Sequence, residues 1–103
     1  DEQQELLILV MFNIKKRIIA EKTLYKGSNK NVPFSFKDIF RILIENNAKS
    51  FYIIHNHPEG SASPSQEDIS LTTEIIKEVK KIGCKLIDHL IISNHDTFSF
   101  RNH

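Results

Sequence analysis

The chain has 103 residues, a mass of 12.0 kDa and a formal net charge of +1. This length fits one domain with a single hydrophobic core. Hydrophobic residues make up 40% of the chain and charged residues 26%, a composition that excludes an intrinsically disordered protein. Because the charge is nearly balanced, the chain has no large positive field, and nothing in the composition predicts a nucleic-acid partner.

The single cysteine, Cys84, cannot form an intrachain disulfide or a C-x-x-C site, so we expect a reduced, packed thiol in a cytoplasmic protein. No apolar run approaches the ~18–20 residues that span a bilayer, and we find no signal peptide, so no membrane association is predicted. The chain opens with an acidic run, Asp1 to Glu5, instead of methionine. We therefore expect it to be a piece of a longer protein with a segment upstream.

The first half of the chain predicts two strands followed by a helix. The apolar run from Leu6 to Phe12 is short, and we predict a strand that is buried on both faces. A polar turn separates it from a second predicted strand, Ile18 to Leu24, so the two form a hairpin. Lys26 to Asn31 have loop composition, and Val32-Pro33 close that loop. A helix capped by Ser35 follows, with apolar residues at helical spacing: Phe36, Ile39, Phe40, Leu43 and Ile44.

The second half predicts a strand, a loop, a helix and two more strands. In chain order they are Phe51 to Ile54 ending at His55, a loop over residues 56–64, a helix from Ser65 to Gly83, and strands Leu86 to Ile92 and Thr97 to Phe100. The helix follows from an apolar stripe consisting of Ile69, Thr72, Ile75, Ile76 and Val79. The order β-β-α-β-α-β-β predicts an α/β (α+β) fold, in which helices flank a single mixed sheet and pack on its faces.

The most informative stretch lies between the third predicted strand and the second predicted helix. His55 and His57 are two residues apart at the end of a strand, so both imidazoles should leave the same face of the sheet. Asp68 lies in the first turn of the next helix, and the intervening loop is long enough to fold that helix start over the histidines. Two imidazoles and one carboxylate leave a fourth zinc position for water, as in catalytic zinc sites. The stretch therefore predicts an open zinc site.

Ser65 and Asp68 also have a simpler interpretation as a helix start, with Ser65 as N-cap and Asp68 near the positive end of the helix dipole. The same S-x-x-D pattern occurs at Ser35 and Asp38, where no histidines precede it. The pattern alone is therefore only a capping signal, and H-x-H alone is weak. Their combination at one edge of the sheet supports the zinc interpretation.

Together, H-x-H, seven residues and S-x-x-D resemble the JAMM metalloprotease motif of JAB/MPN domains. The longer string H-N-H-P-x-G-x-x-x-P-S-x-x-D, from His55 to Asp68, resembles the RadC branch of bacterial proteins in particular. The resemblance runs from Glu5 to about Phe100 and implies one RadC-type JAB/MPN domain over residues 1–103. It includes the opening strand Glu5 to Asn13, the loop at Lys26 to Ser28, the helix at Phe36 to Phe40 and the strand at Leu86 to Ile91.

The resemblance implies a role for each matching residue. The zinc ligands would be His55, His57 and Asp68. The hydroxyl of Ser65 would help hold the zinc-bound water and the developing oxyanion. Glu5 matches the upstream glutamate that acts as general acid/base, and Glu2 is its nearby competitor. The implied reaction is hydrolysis of a peptide or isopeptide-like amide by a zinc-activated water.

Two other functions stay open at this point. Many MPN domains are non-catalytic interaction modules, although these typically lack part of the ligand set that this chain keeps. The RadC family name also points to a DNA-repair accessory role, but the charge of +1 gives no physical support to DNA binding by this domain. The helical segment that usually precedes a RadC domain would lie outside this chain.

The remaining polar residues near the motif receive weaker predictions. His89, next to Asp88 in a late strand, could orient a zinc ligand, but a satisfied, partly buried histidine is the expectation. Asn56 and Glu59 are expected only to shape the loop. His95 and His103 receive no role.

Overall fold

The structure is a computed structural model that describes residues 4–26, 34–58 and 60–102. Within these residues the predicted order of elements is confirmed. The strands are β1 (Leu6–Phe12), β2 (Ile18–Tyr25), β3 (Ser50–Asn56), β4 (Lys85–Ile92) and β5 (Thr97–Ser99), and the helices are α1 (Phe36–Glu45) and α2 (Gln66–Val79). The predicted loop after β2 lies, beyond Lys26, outside the described residues.

The strands form one mixed sheet in the order β2-β1-β3-β4-β5. The pair β3 and β4 is parallel, and the other neighbouring pairs are antiparallel. A parallel pair needs a crossover connection, which α2 provides here. The predicted fold, a mixed sheet combined with helices, is therefore confirmed.

Strand β1 is fully buried on one face only, so the prediction that both faces are buried was wrong. Leu7, Leu9 and Met11 are fully buried, whereas the side chains between them stay partly exposed. The register of β1 with β3 places the three buried residues opposite His55, Ile53 and Phe51, on the same face of the sheet. Buried side chains from both helices join this cluster: Ile39, Ile42, Leu43, Ile75 and Val79. Both helices therefore contribute to one core on this face.

Several element boundaries differ from the prediction. β3 continues through His55 and Asn56, which the sequence had placed at the strand end and in the loop. α2 ends at Val79, because residues 80–82 form a 3-10 turn. Gly83 then adopts a φ of 68°, a left-handed conformation that glycine reaches without steric cost. β5 ends at Ser99 and leads into another 3-10 turn.

Cys84 is a buried, free cysteine, as predicted, and burial raises the pKa of its thiol above the ordinary value. Among the helices of the described residues, none is long and apolar enough to cross a membrane.

Candidate metal centre

Strand β3 brings both histidines of the H-x-H motif to the carboxyl end of the parallel pair. His55 lies in the strand and is 1% exposed. The backbone N–H of His57 donates to the carbonyl of Ile92 in β4 over 2.8 Å, so His57 is held against the neighbouring strand. The two imidazole rings have centroids 5.0 Å apart and are nearly perpendicular. The two histidines therefore meet where parallel strands commonly end at a ligand site.

The start of α2 is a complete capping box. Ser65 Oγ accepts a hydrogen bond from the backbone N–H of Asp68 over 3.0 Å, and Asp68 Oδ2 accepts one from the backbone N–H of Ser65 over 2.8 Å. The start of α1 differs: Ser35 caps the N–H of Asp38 over 3.4 Å, but the Asp38 carboxylate binds Arg41 at 3.1 Å. The capping interpretation of Ser65 and Asp68 is thus correct, and it does not exclude a second role.

The Asp68 carboxylate contacts both histidines as well as the cap. Its Oδ2 lies 3.0 Å from His57 Nε2, and its Oδ1 lies 3.4 Å from His55 Nδ1. Asp68 is only 6% exposed, which is unusual for a helix-capping carboxylate. The helix start therefore does fold over the histidines.

A second carboxylate, Glu5, reaches the histidines from the start of β1. Glu5 Oε1 lies 2.8 Å from His55 Nε2, and Glu5 Oε2 lies 3.2 Å from the ammonium of Lys26. The ligand atoms of Glu5, His55 and His57 all lie within 4.8 Å of one another and form a possible metal-binding group. Glu2, the competing glutamate, lies outside the described residues. The predicted site residues therefore lie together in the structure: Glu5, His55, His57, Ser65 and Asp68.

The hydrogen-bonding pattern of His57 indicates that a cation fits between it and Asp68. His57 Nδ1 lies 3.2 Å from the carbonyl oxygen of Ser61. A carbonyl only accepts, so Nδ1 carries a hydrogen, and in the neutral form of the ring that binds a metal, Nε2 carries a lone pair. That lone pair faces Asp68 Oδ2 at 3.0 Å. Ligand atoms of a tetrahedral zinc ion, each about 2.0–2.1 Å from the metal, lie about 3.4 Å apart, and imidazole and carboxylate are zinc donors. The residues therefore fit a zinc ion.

The electrostatic environment favours the protonation states that metal binding needs. Burial lowers the pKa of His55 below its ordinary value, although the carboxylates of Asp68 and Glu5 oppose this effect. Burial by itself would raise the pKa of Asp68, but the hydrogen bonds with Ser65 and the charges that the two histidines carry when they are protonated lower it further than burial raises it. A neutral imidazole beside an ionised carboxylate is the state that binds a metal.

His89 of β4 packs against the ring of His55. The expectation that His89 is only partly buried and has hydrogen-bond partners for its ring nitrogens was wrong. It is fully buried, with its ring stacked between His55 at 5.7 Å and Phe100 at 4.6 Å. The hydroxyl of Thr72 donates its hydrogen to the carbonyl of Asp68 over 2.7 Å, so it accepts from His89 Nδ1, also at 2.7 Å. His89 Nε2 then carries a lone pair that has no hydrogen-bond partner among the described residues. Thr72 and His89 thus connect β4 to the first turn of α2.

Asn56 is the other residue whose contacts the sequence prediction missed. It was expected only to shape the loop, yet it belongs to β3 and its side chain binds the start of β1. The usable signal was its position: an amide between two histidines at a strand end can hydrogen-bond the backbone of a neighbouring strand. Glu59, the other residue given this expectation, lies outside the described residues.

The fold and the site together define a JAB-type domain. The chain matches the RadC-like JAB domain over residues 1–103 and belongs to that family, which confirms the resemblance seen in the motif. It is 36% identical over 99 residues to a UPF0758 protein of Clostridium perfringens, covering 96% of this chain and 44% of that protein. A UPF0758 protein of Streptococcus suis is 36% identical over 100 residues, covering 97% and 41%. The chain spans less than half the length of these relatives.

Proposed function

We propose that this domain is a zinc-dependent hydrolase of the JAMM type, which cleaves a peptide or isopeptide-like amide bond. The observation that carries the proposal is the 3.0 Å separation of His57 Nε2 and Asp68 Oδ2, because in the neutral ring a nitrogen lone pair would face a carboxylate. A cation between them removes the repulsion, and both groups are typical zinc donors. The proposed ligands are His55, His57 and Asp68.

The burial of the two carboxylates supports Asp68 as the third ligand and Glu5 as the general acid/base. The Asp68 side chain is 8% exposed and is fixed by the backbone N–H of Ser65, as suits a ligand. The Glu5 side chain is 22% exposed, so it can meet both water and substrate. A general base has to lie within hydrogen-bond reach of the proton that it takes.

The protein groups have separate tasks in the proposed reaction. A zinc ion held by these ligands would supply a water whose pKa is about 7 and would polarise the amide carbonyl. Glu5 accepts the proton of the attacking water and delivers it to the leaving amine. Ser65 Oγ accepts the N–H of Asp68 through a lone pair, so its own hydrogen is available to the oxygen that becomes negative.

The loop before α2 fixes the orientation of His57, one of the proposed ligands. The carbonyl of Ser61 accepts the Nδ1 hydrogen of His57 and thereby orients the ring. The next residue, Ala62, is fully buried, and its backbone N–H donates to Asp96 Oδ1 over 2.9 Å. Asp96 belongs to the turn between β4 and β5, so this turn holds the loop that orients His57.

The test is a zinc-dependent turnover assay on the purified protein. Quenched fluorescent peptides and matching conjugates with a lysine isopeptide bond serve as substrates. We expect hydrolysis that a chelator abolishes and that added zinc restores. Zinc binding without hydrolysis of any substrate would contradict the enzyme and favour a zinc-binding interaction module. DNA binding with a steep salt dependence would favour a DNA-repair accessory role instead. The substrates and partners of this domain, and its cytoplasmic location, stay predictions.

A further inference from the structure

We propose that Asn56 is a positioning residue that holds Glu5 in place at the metal centre. This inference rests on the proposed function, because it assigns Glu5 the acid/base role. Asn56 Oδ1 accepts a hydrogen bond from the backbone N–H of Leu6 over 2.6 Å, and Asn56 Nδ2 donates to the carbonyl of Gln4 over 3.1 Å. These two backbone groups flank Glu5 on either side along the chain.

The orientation of the Asn56 amide follows from its partners. An N–H can only donate and a carbonyl can only accept, so the amide oxygen must face Leu6 and the amide nitrogen must face Gln4. The reversed amide would place two donors together and two acceptors together. One side chain therefore makes two bonds of fixed direction to the segment that carries Glu5.

The bonds are made where the backbone ladder between β1 and β3 ends. The paired register of these strands stops at Leu7 and His55, and the next antiparallel pair would be Leu6 and Asn56. The backbone of Asn56 instead continues its pairing with Ile92 of β4. The Asn56 side chain thus makes the hydrogen bonds to β1 that a backbone partner would make if the pairing of β1 with β3 continued by one more residue.

The other edge of the same segment is held by the end of β2. The backbone N–H of Lys26 donates to the carbonyl of Glu5 over 3.1 Å, and Gln4 Nε2 donates to the carbonyl of Lys26 over 3.0 Å. Asn56 supplies the hydrogen bonds on the opposite side. Without them the Glu5 segment would be fixed along one edge only, and Glu5 Oε1 would lose its fixed place 2.8 Å from His55 Nε2.

This arrangement links the two parts of the proposed site. Asn56 lies between the histidines His55 and His57, so the same three residues supply two metal ligands and the support for the acid/base. A displacement of about 1 Å of a reacting group can reduce turnover by about 10²-fold. Loss of the Asn56 amide should therefore reduce turnover without removing a ligand.

The first test measures the contact itself in metal-free protein. In Asn56→Ala we expect the Leu6 amide to exchange its hydrogen at least about ten times faster, since a protecting bond is lost. We also expect loss of the NMR contacts between the Glu5 γ-methylene and the His55 ring. Asn46→Ala is the matched control, because Asn46 Nδ2 donates to the carbonyl of Ile42 over 2.8 Å, away from the site. It should leave both readouts unchanged.

Unchanged exchange at Leu6 together with intact contacts between Glu5 and His55 in the Asn56→Ala protein would overturn the proposal. If that variant does not fold by circular dichroism, Asn56→Ser takes its place, since serine also lacks the two-bond geometry of the amide. The same two measurements decide the outcome with either variant.

The second test is a double-mutant cycle with Glu5→Gln. Asn56→Ala should lower kcat at least about tenfold while KM and zinc affinity stay within about twofold. In the Glu5→Gln background the same change should have almost no further effect. An equal loss in both backgrounds, or a loss of zinc affinity, would show that Asn56 does not act through Glu5. If Glu5→Gln itself keeps full turnover, the acid/base assignment fails, while the exchange of Leu6 still decides the contact.

Discussion

His57 Nε2 lies 3.0 Å from Asp68 Oδ2, and the same oxygen accepts the backbone N–H of Ser65 over 2.8 Å. One carboxylate oxygen thus joins the helix start to the histidine cluster. The capping hydrogen bonds fix the position of the carboxylate, and the two neighbouring histidines make the same carboxylate a candidate metal ligand. For this reason the S-x-x-D pattern could not be assigned to one role from the sequence alone.

Asp68→Asn should weaken zinc binding by at least about 100-fold, because a neutral amide replaces an anionic donor. The helix start should survive, since the asparagine oxygen can still accept the N–H of Ser65. Asp38→Asn is the matched control, because Asp38 has the same place in α1 but lies exposed beside Arg41. Competition with a chromophoric chelator measures both affinities. Equal zinc affinity in the two variants would leave Asp68 as a capping residue only.

Ser65→Ala and Ser35→Ala should each lower the free energy of unfolding by about 1 kcal/mol, because each removes an N-cap. Only Ser65→Ala should also lower kcat, by about 10²–10³, the usual effect of one oxyanion donor. Chemical denaturation and the peptide assay give the two values. A kcat effect of the same size in both variants would remove Ser65 from the mechanism.

Glu5→Gln should retain zinc and reduce turnover by about 10²–10⁴, since a positioned acid/base group contributes a factor of this size. The close group formed by Glu5, His55 and His57 makes the zinc measurement decisive. If Glu5→Gln loses zinc while Asp68→Asn keeps it, the two carboxylates exchange roles. Metal content after gel filtration, followed by the turnover assay, distinguishes these results.

The order of elements and the meeting of His55, His57 and Asp68 could be predicted because each depends on local spacing, whereas Glu5 and the catalytic role of Ser65 were predicted only from the family resemblance. Hydrophobic runs define the strands, and the positions of His55, His57 and Asp68 relative to a strand end and a helix start define the cluster. The one-sided burial of β1 could not be predicted, since an apolar run does not reveal which face the helices cover. Asn56 and His89 contact residues 50 and 17 positions away. The position of Asn56 at a strand end could indicate a bond to a neighbouring strand, but no local pattern identifies the partner residues.

The metal-free protein should lose stability as the pH falls from about 6.5 towards 4, partly through His89. Burial lowers the pKa of His89 to about 4, whereas an unfolded histidine titrates near 6.5. Between these two pH values the unfolded chain binds a proton that the folded protein does not bind. The free energy of unfolding therefore decreases by up to about 1.4 kcal/mol for each unit by which the pH falls. Above pH 6.5 the histidine is neutral in both states, so it no longer changes the free energy of unfolding with pH.

His89→Gln should flatten this slope, because glutamine keeps a donor for Thr72 but does not titrate. His95→Gln, which changes an exposed histidine in the turn after β4, should keep the slope of the unaltered protein. Urea denaturation at a series of pH values, with a chelator present, measures the difference. A slope that His89→Gln does not change would contradict the buried, neutral state of His89.

Zinc stoichiometry in matched histidine variants tests the central claim most directly. Elemental analysis and competition titration should find about one zinc per chain in the unaltered protein and in His95→Ala. His57→Ala should lose the metal and keep its fold by circular dichroism, because it removes a nitrogen donor from a site with few ligands. Full zinc occupancy in folded His57→Ala, with unchanged affinity, would contradict the metal centre and the hydrolase built on it.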